Sequence, residues 1–257
     1  MSYKKHFLTD VIFRTDFVSA EESLNLDVVP AVKEACARSF PILERRDAEM
    51  QNISITANGE EEIKTVVKNE KQVEWHFWGK DREKELVIAP NCMFINSKSY
   101  DSFENLKSQF LEIFHEVQAN YPLVKINRIG LRYINQIDLL SEKVSRKSWS
   151  SYWGKYISKD LIQSLKFIDN EKALARHINT IEMNYEDYML RFVYGIFNQD
   201  YPAPNKKQVY ILDADVSSVG LFTEEELNSA ADNFHQKAKD WFERSITQAL
   251  RTKMEGV

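Results

Sequence analysis

The chain has 257 residues, 43% hydrophobic and 12% aromatic, enough apolar surface for a large core without disulfides or metals. A formal net charge of −5 and a pI near 5.7 give no overall attraction to a nucleic-acid backbone, so duplex binding is not the expected function. Two widely separated cysteines, Cys36 and Cys92, have no CxxC partner; they form no disulfide framework or zinc pattern and read as small buried hydrophobes.

The N-terminus is basic at Lys4, Lys5 and His6 but meets Thr9 and Asp10 before an apolar run forms, unlike a secretory signal. No window approaches ~18 consecutive apolar residues. The expected setting is soluble and cytoplasmic, with no membrane partner. A strand is predicted from about His6 to Phe17, then a short helix opening at Pro30 with Val32, Ala35, Cys36 and Phe40 on one side. Pro41 closes it. Extended segments follow at Gln51–Ala57, Ile63–Trp78 and Leu86–Asn96, punctuated by Gly59, with Glu60 to Glu62 as a solvated turn, and by the Gly79 turn.

A long helix is predicted over Asp101 to Asn120. Asp101 and Glu104 have N-cap and N3 spacing, and Phe103, Leu106, Phe110, Ile113, Phe114 and Val117 form one apolar stripe. A strand from Val124 to Leu139 opens the second half, followed by a Trp- and Tyr-rich helical segment over Ser150–Phe167. Strands are then expected at Ala173–Tyr185, Tyr188–Phe197 and Gln208–Val216. Thr223 to Glu226 is a capping box that starts a helix with Leu227, Ala230, Phe234, Ala238, Trp241 and Phe242 on one side. The spacing continues through Ile246 and Leu250, predicting one helix of about 25 residues or more, roughly 40 Å long.

Strand, helix, three strands, helix, twice over, implies an α+β fold: antiparallel sheet with long helices on one face. The halves divide near residues 1–122 and 123–257 and pack as one globular unit. Only the element order repeats. Both the saddle of the TATA-binding protein and a helix-grip cavity share this order.

The most informative stretch is Arg128-Ile-Gly-Leu-Arg-Tyr-Ile-Asn135. Alternation sends Arg128, Gly130, Arg132, Ile134 and Gln136 to one face of the strand and Ile129, Leu131, Tyr133, Asn135 and Ile137 to the other. Two guanidiniums suit a phosphate or carboxylate, and Gly130 would leave room for a ligand or another backbone. They suit an internal ion pair equally, and the natural partners are Asp213 and Asp215, which share a face with Val209 and Ile211. An Asp-x-Asp pair also recurs in carboxylate sites for Mg²⁺, but no third carboxylate stands at a supporting spacing.

His6, His76, His115, His177 and His235 are scattered, and no zincin, Gly-x-Ser-x-Gly or Gly-rich phosphate-loop pattern occurs. Glu74-Trp-His-Phe-Trp78 is an aromatic strand cluster, read as packing before nucleobase stacking.

The run Tyr100 to Asp138, with its helix feeding Arg128-x-Gly-x-Arg-Tyr-x-Asn135 and the later Leu212-Asp-Ala-Asp-Val216, resembles a sporadically distributed prokaryotic protein family of about this length. Lys5 to Phe17 departs from the Pro- and Leu-rich start of its members. The resemblance implies patchy inheritance, as for defence-associated or mobile genes, and supplies no mechanism.

The expected function is therefore a non-catalytic binding or regulatory protein of a prokaryotic multi-gene system, of the phage-defence or toxin–antitoxin type. It would act through protein partners or as a homo-oligomer, without a cofactor. Its docking surface would be the Trp149-Ser-Ser-Tyr-Trp153 segment or the outer side of the C-terminal helix. One alternative is a small-molecule or nucleotide binder with a pocket between helix and sheet, Arg128 and Arg132 reading an anionic group. The other is a metal-dependent hydrolase or nuclease built on Asp213 and Asp215. The candidate residues are Arg128, Arg132, Tyr133, Asn135, Asp213 and Asp215.

Overall fold

The alternating segments assemble into one nine-stranded antiparallel sheet. A computed structural model describes residues 3–58, 62–139, 149–203 and 209–256, with backbone alone for 50–58, 62–70 and 172. In chain order the strands are β1 (Leu8–Phe17), β2 (Ile42–Asn58), β3 (Glu62–Trp78), β4 (Lys84–Ala89), β5 (Cys92–Ser97), β6 (Ile126–Asp138), β7 (His177–Asn184), β8 (Met189–Phe197) and β9 (Val209–Phe222). The helices are α1 (Pro30–Ala37), α2 (Phe103–Asn120), α3 (Trp149–Trp153), α4 (Lys159–Ile162), α5 (Glu224–Ser245) and α6 (Gln248–Glu255).

The spatial order β2-β3-β4-β5-β1-β6-β9-β8-β7 gives the repeated element order a geometric form. In each half the first strand pairs with the last and the others meander outward: β1 with β5, then β4, β3 and β2; β6 with β9, then β8 and β7. The two first strands meet as an antiparallel pair at the centre, Val11 opposite Tyr133. The first half carries one strand more, because the segment expected as Leu86–Asn96 folds back at Pro90-Asn91 into β4 and β5. Proline removes the donor a continuous strand would need there.

One face of the sheet is the core. Val11, Phe13 and Phe17 of β1, Ile129, Leu131 and Ile137 of β6, and Leu212, Ala214 and Val216 of β9 are buried beneath the apolar stripes of α2 and α5. Phe13 and Phe110 pack with ring centroids 4.1 Å apart. The opposite face carries Asp10, Arg14, Asp16, Arg128, Arg132 and Gln136, all half-buried.

Several boundaries differ from the sequence expectation. Ser102, not Asp101, is the N-cap of α2: its hydroxyl accepts from the Asn105 amide, while Asp101 accepts from the Ser102 amide. The single C-terminal helix is broken at Ile246, and Ser150–Phe167 is two short helices with a further turn over Gln163–Phe167. One contact explains both breaks. Ile157 and Ile246 form a β-bridge, the Ser158 amide donates to Ser245 and the Thr247 amide to Tyr156, so two extended kinks satisfy one another's backbones. Thr247 then starts α6. β7 begins only at His177, after a turn over Glu171–Ala173. β2 starts at Ile42, directly after Pro41, and β9 runs on to Phe222. The predicted turn at Gly59 to Glu61 and the expected strand start at Gln208 lie outside the described residues.

Candidate functional site

The six candidate residues fall on two faces of the sheet, in two unlike environments. On the face away from the helices, Arg132 holds Asp213 with both arms of its fork: Nε donates to Oδ1 at 2.8 Å and Nη2 to Oδ2 at 2.6 Å. The Asp213 side chain is 5% exposed and that of Arg132 34%, so the acid is buried and its partner reaches solvent. The sequence left Asp213 and Asp215 both open as partners of Arg132; the pair forms with Asp213, between β6 and its neighbour β9.

The pair belongs to a band of charge. Arg128 reaches Asp16 at 3.3 Å, where Arg14 also donates at 2.7 Å. Arg191 stands 3.4 Å from Glu182 on β7. Asp215 lies opposite both Arg132 and Arg191 in register, and burial raises its carboxyl above the usual range against the attraction of Arg128, Arg132 and Arg191. Arg128, Arg132 and Arg191 thus each reach a carboxylate of a neighbouring strand, the first two half-buried and the Arg191–Glu182 pair exposed.

One sequence expectation changes here. The space above Gly130 is taken by the guanidinium of Arg128, which a Cβ would approach to 3.1 Å, so it is not open to a ligand. Both Asp213 oxygens are engaged by Arg132, and among the described residues no group of three His, Cys, Asp or Glu side chains converges as a metal site.

On the helix face, Tyr133 and Asn135 line a cavity of about 370 Å³ between the sheet, the start of α2, α5 and α6. Its walls include Leu8, Phe192, Leu212, Ala214, Ala238, Phe242 and Met254. The Tyr133 hydroxyl lies 2.7 Å from Nδ1 of His235 on α5. Burial, and next the Lys239 ammonium, push the His235 imidazole below its ordinary pKa, which favours the neutral ring in its hydrogen bond with Tyr133. Burial likewise holds the Tyr133 phenol well above its ordinary value and pushes Tyr100 up to about 12. Phe103 stacks on the His235 ring at 4.2 Å and Tyr100 meets Tyr133 edge-on at 5.9 Å, fixing both orientations. The Asn135 amide is buried and makes a long 3.5 Å bond to the Leu212 carbonyl.

The helix–sheet pocket expected with Arg128 and Arg132 therefore exists on the face those arginines do not share. His235 was missed because its partner lies 102 residues away in sequence. The available signal was its place beside Phe234, on the margin of the α5 stripe. In the predicted docking segment Trp153 is fully buried against Tyr210 and the Trp149 indole donates to the Glu171 carbonyl, while Trp149 and Tyr152 are half-buried and Ser151 is exposed.

No protein-family model matches the chain, and no curated protein matches it. Among the described residues, no helix is long and apolar enough to cross a membrane.

Proposed function

We propose that the protein is a non-catalytic binding module that holds a small molecule in the cavity between α5 and the sheet. One observation carries the reading: a half-enclosed space of about 370 Å³, walled by aromatic and aliphatic side chains, on which a few oriented polar groups converge. That size and lining fit small-molecule pockets. The charged band on the other face supports it by contrast, since Arg14, Arg132 and Arg191 are committed to carboxylates within the sheet. A catalytic metal on Asp213 would have to displace Arg132 from both oxygens. In a multi-gene system of the kind the family resemblance implies, occupancy of the cavity would be the signal read by a protein partner.

The test is titration with N-phenyl-1-naphthylamine, a neutral fluorophore that brightens on transfer from water. Saturable binding at one site per chain is expected, weakened at least tenfold by Ala238→Phe, which fills the cavity from α5, with folding checked by circular dichroism. Non-saturable binding, or binding untouched in a folded Ala238→Phe protein, would refute the reading.

A further inference from the structure

The distribution of charge around the cavity identifies the ligand class. The interior groups are Tyr133, His235, Asn135 and Tyr100: two phenols, an imidazole and an amide. Formal charge is confined to the rim, where Asp101 and Glu104 are exposed and Lys239 and Glu243 half-buried. Three of these four are acids. Glu243 is already engaged by the Tyr3 hydroxyl at 2.7 Å and by Arg251 at 2.9 Å. The amino end of α2 also opens on the rim, but Asp101 and Glu104 in its first turn answer its partial positive charge, leaving no vacant anion position.

Resting on the reading of the cavity as a binding site, we propose that its ligand is a neutral molecule: an apolar, ring-sized body with a single hydroxyl or carbonyl head directed at Tyr133, His235 and Asn135. Lys239 shares the rim with Glu104 and with Asp101, which already meets Lys84 at 3.5 Å, so an anionic head would find no charged partner among the interior groups. A cationic head would be stripped of water among neutral groups, which is costly without a buried counter-charge. A hydroxyl or carbonyl fits what the interior offers. Tyr133 and His235 are already hydrogen-bonded to each other, so an arriving head group joins an oriented pair instead of having to build one. The 3.5 Å contact of Asn135 with Leu212 is long enough that the amide gains by turning to a better partner. His235 and Asn135 are thus specificity residues, and Phe192 and Phe242 supply the apolar grip.

Three probes with one bicyclic body decide it: 1-naphthol, 1-naphthoate and 1-naphthylmethylammonium, titrated calorimetrically into the full chain at pH 7.5. The expected order places 1-naphthol at least tenfold tighter than either ion. His235→Leu and, separately, Tyr133→Phe should each weaken 1-naphthol at least fivefold more than they weaken N-phenyl-1-naphthylamine, the second variant deciding should the first not fold. A preference for 1-naphthoate or the ammonium, or no preference with the fluorophore still bound, overturns the neutral-ligand assignment and leaves the cavity reading standing. Absence of binding by every probe overturns both.

Discussion

Replacing Arg132 with alanine leaves a carboxylate with nowhere to go. Asp213 is 5% exposed, and both its oxygens depend on the two arms of Arg132 at 2.8 and 2.6 Å. Removing one partner of a fully buried pair costs on the order of 3–5 kcal/mol; because Arg132 is itself 34% exposed, water can follow into its place, and the lower end, about 3 kcal/mol, is expected. For a chain of this size that is a fall in melting temperature of roughly 6–12 °C. The reverse change, Asp213→Asn, is milder: it keeps one oxygen as an acceptor and leaves a guanidinium that water can reach, for a loss of about 1 kcal/mol. The double variant should fall short of the sum by at least ~1 kcal/mol. Urea unfolding of the four proteins measures this directly. A loss below about 0.5 kcal/mol for Arg132→Ala, or strict additivity, would show that the pair does not lock β6 to β9.

Gly195 has φ +141°, and a Cβ there would lie 2.0 Å from the His177 carbonyl oxygen, so Gly195→Ala should cost more than about 3 kcal/mol and loosen β7, read as lost amide protection over His177–Asn184. Asp215 has a folded pKa above its unfolded one, so its charge opposes folding at neutral pH; the penalty is fully present above the raised pKa and fades as pH falls toward the ordinary carboxylate value. Asp215→Asn should accordingly raise the urea midpoint at pH 7 and lose that advantage near pH 4, and an equal or opposite shift at both values would refute it. His235 behaves conversely: its depressed pKa means the unfolded chain takes up the proton first, so stability should drop as pH falls below about 6.5, and His235→Leu should shrink the drop. Thr223→Ala removes the hydroxyl that accepts from the Glu226 amide in the α5 capping box and should cost about 1 kcal/mol by thermal melts.

The α+β architecture was legible because its signals are local and periodic. The stripe from Phe103 to Val117 and the capping box at Thr223 reported α2 and the start of α5 directly, and period-two alternation sorted β6 into a charged and a buried face. The Arg132–Asp213 pair followed from charge complementarity between two strands with buried neighbours. What stayed hidden depends on contacts remote in sequence. The break at Ile246 is dictated by Ile157, and nothing within the helix announces it. The cavity is a space between elements, and its polar centre needs His235 of α5 over Tyr133 of β6, which only the tertiary fold brings together. Cys36 and Cys92 were legible as buried hydrophobes, since both are free and buried.

The pairing of β1 with β6 at the middle of the sheet has a consequence for how the protein is made. β1 leaves the ribosome before either of its partners, and β5 completes the pairing on one side by Ser97, yet its other edge stays open until Asp138 has emerged. For some forty residues of synthesis the nascent first half presents an unprotected strand edge, the kind of template that recruits a second chain. A fragment ending near residue 122 would carry that edge permanently and should associate with copies of itself, while the second half alone would bare the complementary edge of β6. Mixed, the two fragments have a shared seam at which to recombine.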